Sequence, residues 1–182
     1  MTKRLRVGYV PLTDAALLHV AKAQHFAAAR GVEMELVADS SWANIRDKLV
    51  AGHFDAAHML APAAIAVALG IDQIEAPLVA PVALGLNGNA ITVSKALFQT
   101  LRQEAQGEVA DPRVTAEALA RIVARRRETG KAPLTFGHVF PFSSHHYQLR
   151  LWLRAGRLDP NEDVRLVVVP PPFMVWTLRK GQ

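Results

Sequence analysis

The chain has 182 residues, of which 51% are hydrophobic and 20% charged, a composition typical of a globular protein that can bury a core. It contains no cysteine, which excludes disulfides, thiol nucleophiles and metal sites with sulfur ligands. The net charge of +5 favours anionic partners, but direct nucleic-acid binding is not predicted because the single arginine run, 125–127, has no interleaved aromatic residues.

Strand and helix patterns alternate in the first half of the chain. The predicted strands are 5–10, 32–37 and 56–60, and the predicted helices are 15–26, the stretch that ends at Gly52, and 62–69. Asp14 is expected to cap the first helix and either Ser40 or Ser41 the second. The short loops between these elements indicate a parallel sheet with right-handed crossovers. The longest apolar stretch, 59–69, falls short of the ~20 residues that span a bilayer, so no membrane span is predicted.

A Gly/Asn-rich stretch, 85–89, separates two further strand-like runs at 78–84 and 90–94. We expect this stretch to be the crossover between two α/β lobes. The first predicted lobe is 1–88, which lacks its C-terminal return segment, and the second is 89–182.

The second lobe repeats the alternation of helices and strands. Its first helix begins at either Asp111 or Thr115 and runs towards Arg127. The later elements are predicted as a strand at 134–137, a helix from Ser143 or Ser144 to Ala155, a strand at 164–169 and a helix at 173–180. A parallel sheet is left unfinished after this last unit, so we expect a two-lobed α/β fold that is truncated at its C-terminus, with an incomplete second lobe.

A candidate binding site follows the second predicted strand. Open α/β sheets bind ligands at the carboxyl ends of their strands, where helix N-termini also point. Ser41 supplies a helix cap there, and the free amides at the helix start can meet an anion. The indole of Trp42 adds a hydrogen-bond donor or a flat face for a planar oxyanion. In the alternative interpretation, Trp42 is the apolar anchor of its helix face.

The segment that follows the 134–137 strand shows the same design in the second lobe. Ser144 supplies a hydroxyl at a helix start, and His145 supplies an imidazole. Two such helix starts in matching positions predict one anion held between the lobes. In the alternative interpretation, His145 and His146 are surface or core histidines.

No pattern typical of catalysis is present in the sequence. It contains no Gly-x-Ser-x-Gly elbow, no His-Glu-x-x-His pair, no P-loop and no dinucleotide-binding glycine motif. His145 and His146 are adjacent, so on a helix they point about 100° apart and form no chelating face by themselves. His53 and His58 are interpreted as structural. We therefore predict that the chain is not an enzyme and holds neither a metal nor a cofactor.

Four segments resemble the nitrate/bicarbonate-binding family of bacterial solute-binding proteins. In chain order they are Val7-Gly-Tyr-Val-Pro-Leu-Thr-Asp14, Ser41-Trp-Ala-Asn-Ile-Arg-Asp47, His58-Met-Leu-Ala-Pro62 and Val167-Val-Val-Pro-Pro-Pro172. The resemblance runs through nearly the whole chain. It implies the type II periplasmic-binding-protein fold, in which two α/β lobes close over an anion.

The resemblance also implies a set of ligand contacts. Members that bind nitrate contact it through a tryptophan, a glutamine on the crossover, a histidine on the second lobe and a lysine further on. Trp42 matches the tryptophan, and His145 matches the histidine in the pattern Phe-Pro-x-x-Ser/Thr-His. Asn89 stands where the glutamine would be, a departure that shortens the amide side chain by one methylene. The lysine position lies beyond residue 182.

The predicted function is therefore binding of a small inorganic anion, with nitrate or nitrite favoured and bicarbonate as the other candidate. Some members of the resembled family are exported subunits of ABC transporters, whereas others are cytoplasmic nitrate/nitrite sensors that hold an RNA-binding antiterminator protein until the anion appears. A strand-like run follows the basic N-terminus, where an export signal would have its apolar core, so a cytoplasmic sensor is predicted.

Two other functions stay open. One is a solute-binding subunit that works with an ABC permease and is periplasmic if a signal segment was removed. The other is biosynthesis of a small heterocycle by a recruited binding-protein fold, which the absence of cysteine and of a clear catalytic base disfavours.

Overall fold

The chain forms two compact units in the computed structural model, which describes residues 3–71, 74–86 and 88–181. The first unit comprises Met1–Gly88, Phe142–Ser144 and Pro170–Pro172, and the second comprises Asn89–Pro141, His145–Val169 and Phe173–Gln182. Six residues lie outside the described residues, one of them (Asn87) in the predicted crossover: Met1, Thr2, Asp72, Gln73, Asn87 and Gln182. None of the helices in the described part of the chain is long and apolar enough to cross a membrane.

The first unit alternates strands and helices, as predicted. Its elements are β1 (Lys3–Tyr9), α1 (Ala16–Ala23), β2 (Val32–Ala38), α2 (Trp42–Val50), β3 (Ala56–Ala57) and α3 (Ala61–Ala68). The strands pair in the order β2-β1-β3, and both pairings are parallel, which confirms the predicted parallel sheet. β3 is shorter than the predicted 56–60 because only two of its residues align with β1.

Gly8 of β1 allows Phe54 to pack closely against the sheet. Phe54 is buried, and a Cβ added at Gly8 would overlap its ring. The carbonyl of Gly8 also accepts a hydrogen bond from the amide of His58 at 2.8 Å. Because a larger residue at this position would displace Phe54 and the nearby start of β3, this glycine helps to set where His58 leaves the sheet.

The second unit is built on a two-stranded parallel sheet. Its elements are α4 (Lys95–Glu104), α5 (Pro112–Glu128), β4 (Thr135–His138), α6 (Ser144–Ala155), β5 (Arg165–Val168) and α7 (Met174–Lys180), with β4 paired to β5. Three helices and the segments around both strands bury one apolar core. Its residues are Leu101, Ala118, Leu119, Ile122, Val123, Phe136, Leu149, Leu153, Leu158 and Val164.

Asp111 caps α5, which settles the two alternatives for the start of that helix. The Asp111 Oδ1 atom accepts a hydrogen bond from the Arg113 amide at 2.8 Å. Pro112 occupies the first helical position. An N–H at this position has no partner within the helix, so the N–H that proline lacks costs no hydrogen bond. Thr115 instead donates its hydroxyl to the carbonyls of Asp111 and Pro112.

The strands predicted at 78–84 and 90–94 are wrong. Both stretches are irregular, and the side chains of Val79 and Val82 are 88% and 68% exposed. A strand needs a neighbour whose backbone pairs with its own N–H and C=O groups. No strand in the described residues pairs with either stretch, and Pro81 removes one donor from the first.

The helix α4 is not predicted by the sequence analysis. The Ser94 hydroxyl accepts a hydrogen bond from the Leu97 amide at 3.2 Å and caps the helix. Leu97 and Leu101, four residues apart, pack with the core of the second unit. The sequence does contain a signal for this helix, namely a serine followed by apolar residues at helical spacing. It was missed because the prediction places Ser94 at the end of a strand over 90–94.

Candidate functional site

The carboxyl ends of β1, β2 and β3 lie along one edge of the first unit's sheet because all three strands are parallel. Asp14 follows β1, Ser41 and Trp42 follow β2, and His58 follows β3. We call these four residues the strand-end cluster. The sequence analysis predicts Ser41 and Trp42 as ligand contacts but assigns Asp14 to a helix cap and His58 to a structural role.

Ser41 caps α2, one of the two predicted alternatives, but the backbone amides beside it are already bonded. The Ser41 hydroxyl accepts a hydrogen bond from the Asn44 amide at 3.5 Å. The Asp39 Oδ1 atom accepts hydrogen bonds from the amides of Ser40 and Ser41 at 2.7 and 3.3 Å. The prediction that free amides meet an anion here is therefore wrong for these two, because a carboxylate of the chain itself occupies them.

The Asp39 carboxylate is held in its ionised form by its neighbours. Burial by itself raises the pKa of this carboxyl, but hydrogen bonds from Lys48, Asn44 and the Ser41 amide outweigh burial and lower the pKa below its ordinary value of 3.8. The Lys48 Nζ atom lies 2.6 Å from Oδ2, and the Asn44 side-chain nitrogen lies 2.9 Å from Oδ1. A second anion at these amides is disfavoured, which leaves the side chains of the strand-end cluster as its candidate contacts.

Trp42 is buried, yet its single polar atom is unpaired. The side chain is 3% exposed, and Nε1 contacts no hydrogen-bond acceptor among the described residues. Packing of the ring accounts for the burial, but burying an unpaired N–H costs about 1–3 kcal/mol. The two interpretations of Trp42 are therefore compatible, because the ring can anchor α2 while Nε1 donates to a ligand.

Asp14 and His58 form a contact that the sequence analysis does not predict. The Nε2 atom of His58 lies 3.1 Å from Oδ2 of Asp14, and the Asp14 side chain does not cap a helix. His58 is 5% exposed, and its ring stands edge-on to Trp42 with the ring centroids 5.0 Å apart. Its Nδ1 atom has no partner in the described part of the chain. Asp14 follows the predicted strand 5–10, as Trp42 follows 32–37, so its position was an available signal. His58 lies inside the predicted strand 56–60, and only the observed end of β3 at Ala57 places it after a strand.

The second predicted helix start is the N-terminus of α6. Ser144 and His145 are the first two residues of this helix, and both are half-buried. Asn89 is exposed and lies in the irregular segment that precedes α4. The roles of these three residues as ligand contacts stay predictions.

His138, the last residue of β4, packs its ring against His146 of α6, a contact that was also not predicted. The ring centroids are 4.3 Å apart. Burial lowers the pKa of His138, and the backbone of Phe140 opposes this shift. Burial, followed by the nearby charges of His138 and Arg150, lowers the pKa of His146 to about 4. Both imidazoles therefore favour the neutral form at neutral pH.

His146→Gln is expected to flatten the acid dependence of folding stability. The pKa of His146 is about 4 in the folded chain, against an ordinary value of 6.5. Between these two pH values the unfolded chain binds a proton at His146 that the folded chain does not bind. The free energy of unfolding is therefore not reduced by this group above pH 6.5, and it falls as the pH decreases towards 4. Glutamine does not titrate and removes this contribution.

Urea unfolding of both proteins across this pH range measures the effect. His53→Gln, which replaces an exposed histidine, is the control and should keep the slope of the unsubstituted chain. Equal slopes for His146→Gln and the unsubstituted chain would contradict the prediction.

The chemistry of the strand-end cluster suits a weakly hydrated anion. It offers the indole N–H of Trp42, which is a donor, and Nδ1 of His58, which donates only when the ring is protonated; both rings are buried. Replacing the water around a monovalent oxyanion by an N–H donor costs little when the charge of the anion is delocalised. In the described part of the chain, no group of three or more His, Cys, Asp or Glu side chains is arranged to hold a metal ion.

Comparison with known proteins gives matches along nearly the whole chain. The model of the NMT1-like family matches residues 1–182. The bicarbonate transport ATP-binding protein CmpC of Synechococcus elongatus is 35% identical over 179 residues, which cover 97% of this chain and 25% of the relative. The nitrate/nitrite binding protein NrtA of Nostoc sp. is 33% identical over 184 residues, which cover 98% of this chain and 38% of the relative.

The fold is similar to the crystal structure of the periplasmic nitrate-binding protein NrtA from Synechocystis PCC 6803. The TM-score is 0.80 at 28% sequence identity, and the match covers 97% of this chain and 44% of that structure. This match confirms the predicted fold class, a type II binding-protein fold. The chain spans 25% and 38% of the lengths of the two curated relatives.

Proposed function

The chain belongs to the NMT1-like family, and from this membership we propose that it binds a small inorganic oxyanion, with nitrate or nitrite favoured and bicarbonate as the other candidate. The relatives support this proposal, since one is named a nitrate/nitrite binding protein and another a bicarbonate transport ATP-binding protein. The proposed activity is binding rather than catalysis, in line with the binding and transport roles that these names state.

The observation that carries the proposal is the unpaired Nε1 of Trp42. This donor is buried and has no acceptor among the described residues. A ligand oxygen that accepts from Nε1 would remove the free-energy cost of the unpaired donor. The delocalised charge of nitrate lowers the cost of stripping its water, and its planar shape suits the indole.

Four further residues are proposed as contributors to binding. His145 supplies an imidazole in the position that the family resemblance implies, Ser144 supplies the neighbouring hydroxyl, and Asn89 supplies a shorter amide in place of glutamine. The hydroxyl of Ser41 accepts from the Asn44 amide. We therefore expect Ser41 to act indirectly, by fixing the first turn of α2 and with it Trp42.

Calorimetric titration of a full-length version of the protein with nitrate, nitrite and bicarbonate tests the proposal. We expect saturable heat with at least one of them and none with chloride, which is spherical and matches no set of planar contacts. A bound anion should also raise the stability of the folded chain, by about 2.7 kcal/mol at a concentration one hundred times the dissociation constant. A full-length protein that is folded, as checked by far-UV circular dichroism, and gives no heat with any of the three anions would refute the proposal.

The finer role of the chain stays a prediction. As a cytoplasmic sensor it would hold an antiterminator protein and release it when nitrate binds, whereas as a transporter subunit it would contact an ABC permease. The names of the relatives favour transport, since CmpC is a bicarbonate transport ATP-binding protein. Pull-down from cells grown with and without nitrate separates the two roles, because an anion-released cytoplasmic partner supports the sensor and membrane partners support transport.

A further inference from the structure

His58 carries a second unpaired polar atom in the strand-end cluster. Its Nδ1 has no partner in the described residues, and neither does Nε1 of Trp42, on a ring whose centroid is 5.0 Å away. Each such atom costs about 1–3 kcal/mol when it is buried without a partner. Buried polar groups that appear unsatisfied in native proteins call for a specific partner, such as a ligand or water. One small ligand that bonds to both atoms would remove both costs.

Asp14 determines which hydrogen-bonding role is open to Nδ1. A carboxylate only accepts hydrogen bonds, so the Nε2 atom that lies 3.1 Å from Asp14 Oδ2 carries its hydrogen and donates. In a neutral His58 ring, Nδ1 is then an acceptor. In a protonated ring, Nδ1 also carries a hydrogen and donates. The partner of Nδ1 must therefore be an O–H group, or else an acceptor oxygen that arrives together with a proton.

We propose that His58 Nδ1 contacts the bound anion beside Trp42 and thereby couples nitrate binding, but not bicarbonate binding, to the uptake of one proton. The inference rests on the proposed function. Nitrate has only acceptor oxygens, so His58 must take a proton from solvent before Nδ1 can donate to it. Bicarbonate has an O–H group that donates to the neutral ring and needs no added proton.

The surroundings of His58 suit this exchange of protonation states. The Asp14 carboxylate lies within ion-pair distance of His58, and the neighbouring Trp42 ring is uncharged. A protonated ring would lie between the Asp14 carboxylate and the bound nitrate, and both negative groups would stabilise it. A neutral ring keeps its hydrogen bond to Asp14 and offers its lone pair to bicarbonate.

Two substitutions separate the two ring nitrogens of His58. In His58→Asn the side-chain amide lies near the position of Nδ1 and loses the Asp14 contact, whereas in His58→Gln it reaches the position of Nε2 and leaves nothing at Nδ1. We expect His58→Gln to weaken nitrate binding at least about tenfold and His58→Asn to weaken it less. His53→Gln, at an exposed histidine in the same segment, is the matched control and should leave nitrate binding unchanged.

Proton uptake is measured by titrating nitrate and bicarbonate into the chain in buffers with different heats of ionisation. In buffers alkaline enough for the His58 ring of the free chain to be neutral, we expect uptake of about one proton with nitrate and none with bicarbonate. The nitrate dissociation constant should then rise about tenfold for each further pH unit. Both effects should disappear in His58→Gln and in His58→Asn, because an amide does not titrate in this range.

The outcomes separate failure of this inference from failure of the proposed function. If the unsubstituted chain gives no heat with any anion, the proposed function is refuted and this inference with it. If His58→Gln binds nitrate as tightly as the unsubstituted chain, or still takes up a proton, the inference alone is refuted. Continued proton uptake would assign the proton to another group, such as His145. Urea unfolding checks that each variant is folded. If His58→Gln does not fold, His58→Asn decides instead: nitrate binding that is retained without proton uptake supports the inference.

Discussion

Trp42→Phe is expected to weaken binding of the anion by about ten- to a hundredfold while the chain stays folded. Phenylalanine keeps an aromatic ring at the first position of α2 but lacks Nε1, the donor that has no partner among the described residues. A hydrogen bond to a charged group contributes about 1.5–3 kcal/mol, and 1.4 kcal/mol is a tenfold change in affinity. Calorimetric titration of both proteins with the bound anion measures the change.

Trp152→Phe is the matched control for this experiment. The Nε1 atom of Trp152 donates to the carbonyl of Pro112 at 3.0 Å and lies 3.1 Å from the hydroxyl of Thr115. Its removal should lower the free energy of unfolding by about 1 kcal/mol and leave the affinity unchanged, which is the reverse of the expectation for Trp42→Phe. An unchanged dissociation constant in Trp42→Phe would show that Nε1 does not contact the anion.

Gly156→Ala is expected to lower the free energy of unfolding by about 3 kcal/mol, the upper end of the usual cost of overpacking. A Cβ at Gly156 would overlap the carbonyl oxygen of Ala116 in α5 and lie 2.8 Å from its carbonyl carbon. Backbone atoms cannot rotate away as a side chain can, so α5 and α6 would have to separate over the fully buried Leu119 and Leu153. Urea unfolding measures the loss.

Gly130→Ala provides the comparison, because this glycine follows α5 but is not crowded. A Cβ there would have nothing within 4 Å, although φ is +65°. Its cost is the strain of an L-residue in the left-handed region, about 1 kcal/mol. If Gly156→Ala proves no more costly than Gly130→Ala, the contact between α5 and α6 is looser than the structure indicates.

The alternation of strands and helices in the first unit could be predicted from the sequence because each element there has a local cause. Apolar and β-branched residues form β1 and β2, a serine caps α2 and Pro62 lies in the first turn of α3. Spacing shows which face of an element is buried, and capping residues show where a helix begins. The same local signals placed β4, α6, β5 and α7 to within a few residues.

Two segments were predicted wrongly because local signals do not determine whether a strand forms. The apolar run at 78–84 has the composition of a strand but is irregular, because a strand depends on a neighbour that can lie far away in the chain. The segment 90–94 was assigned to a strand for the same reason, and this assignment concealed the cap of α4 at Ser94.

The sequence by itself determined the α/β class, the capped start of α2 and the selection of Trp42 as a candidate anion contact. The structure showed that Asp39 occupies the amides beside that cap, which is a local contact. Only the tertiary structure decided that Asp14 meets His58 next to Trp42. The physical reason is sequence distance: Asp14 and His58 are 44 residues apart, and parallel pairing of β1 with β3 brings their carboxyl ends together. Local spacing does not show which strands will be neighbours, so Trp42 could be predicted as a candidate contact and the His58 ring beside it could not.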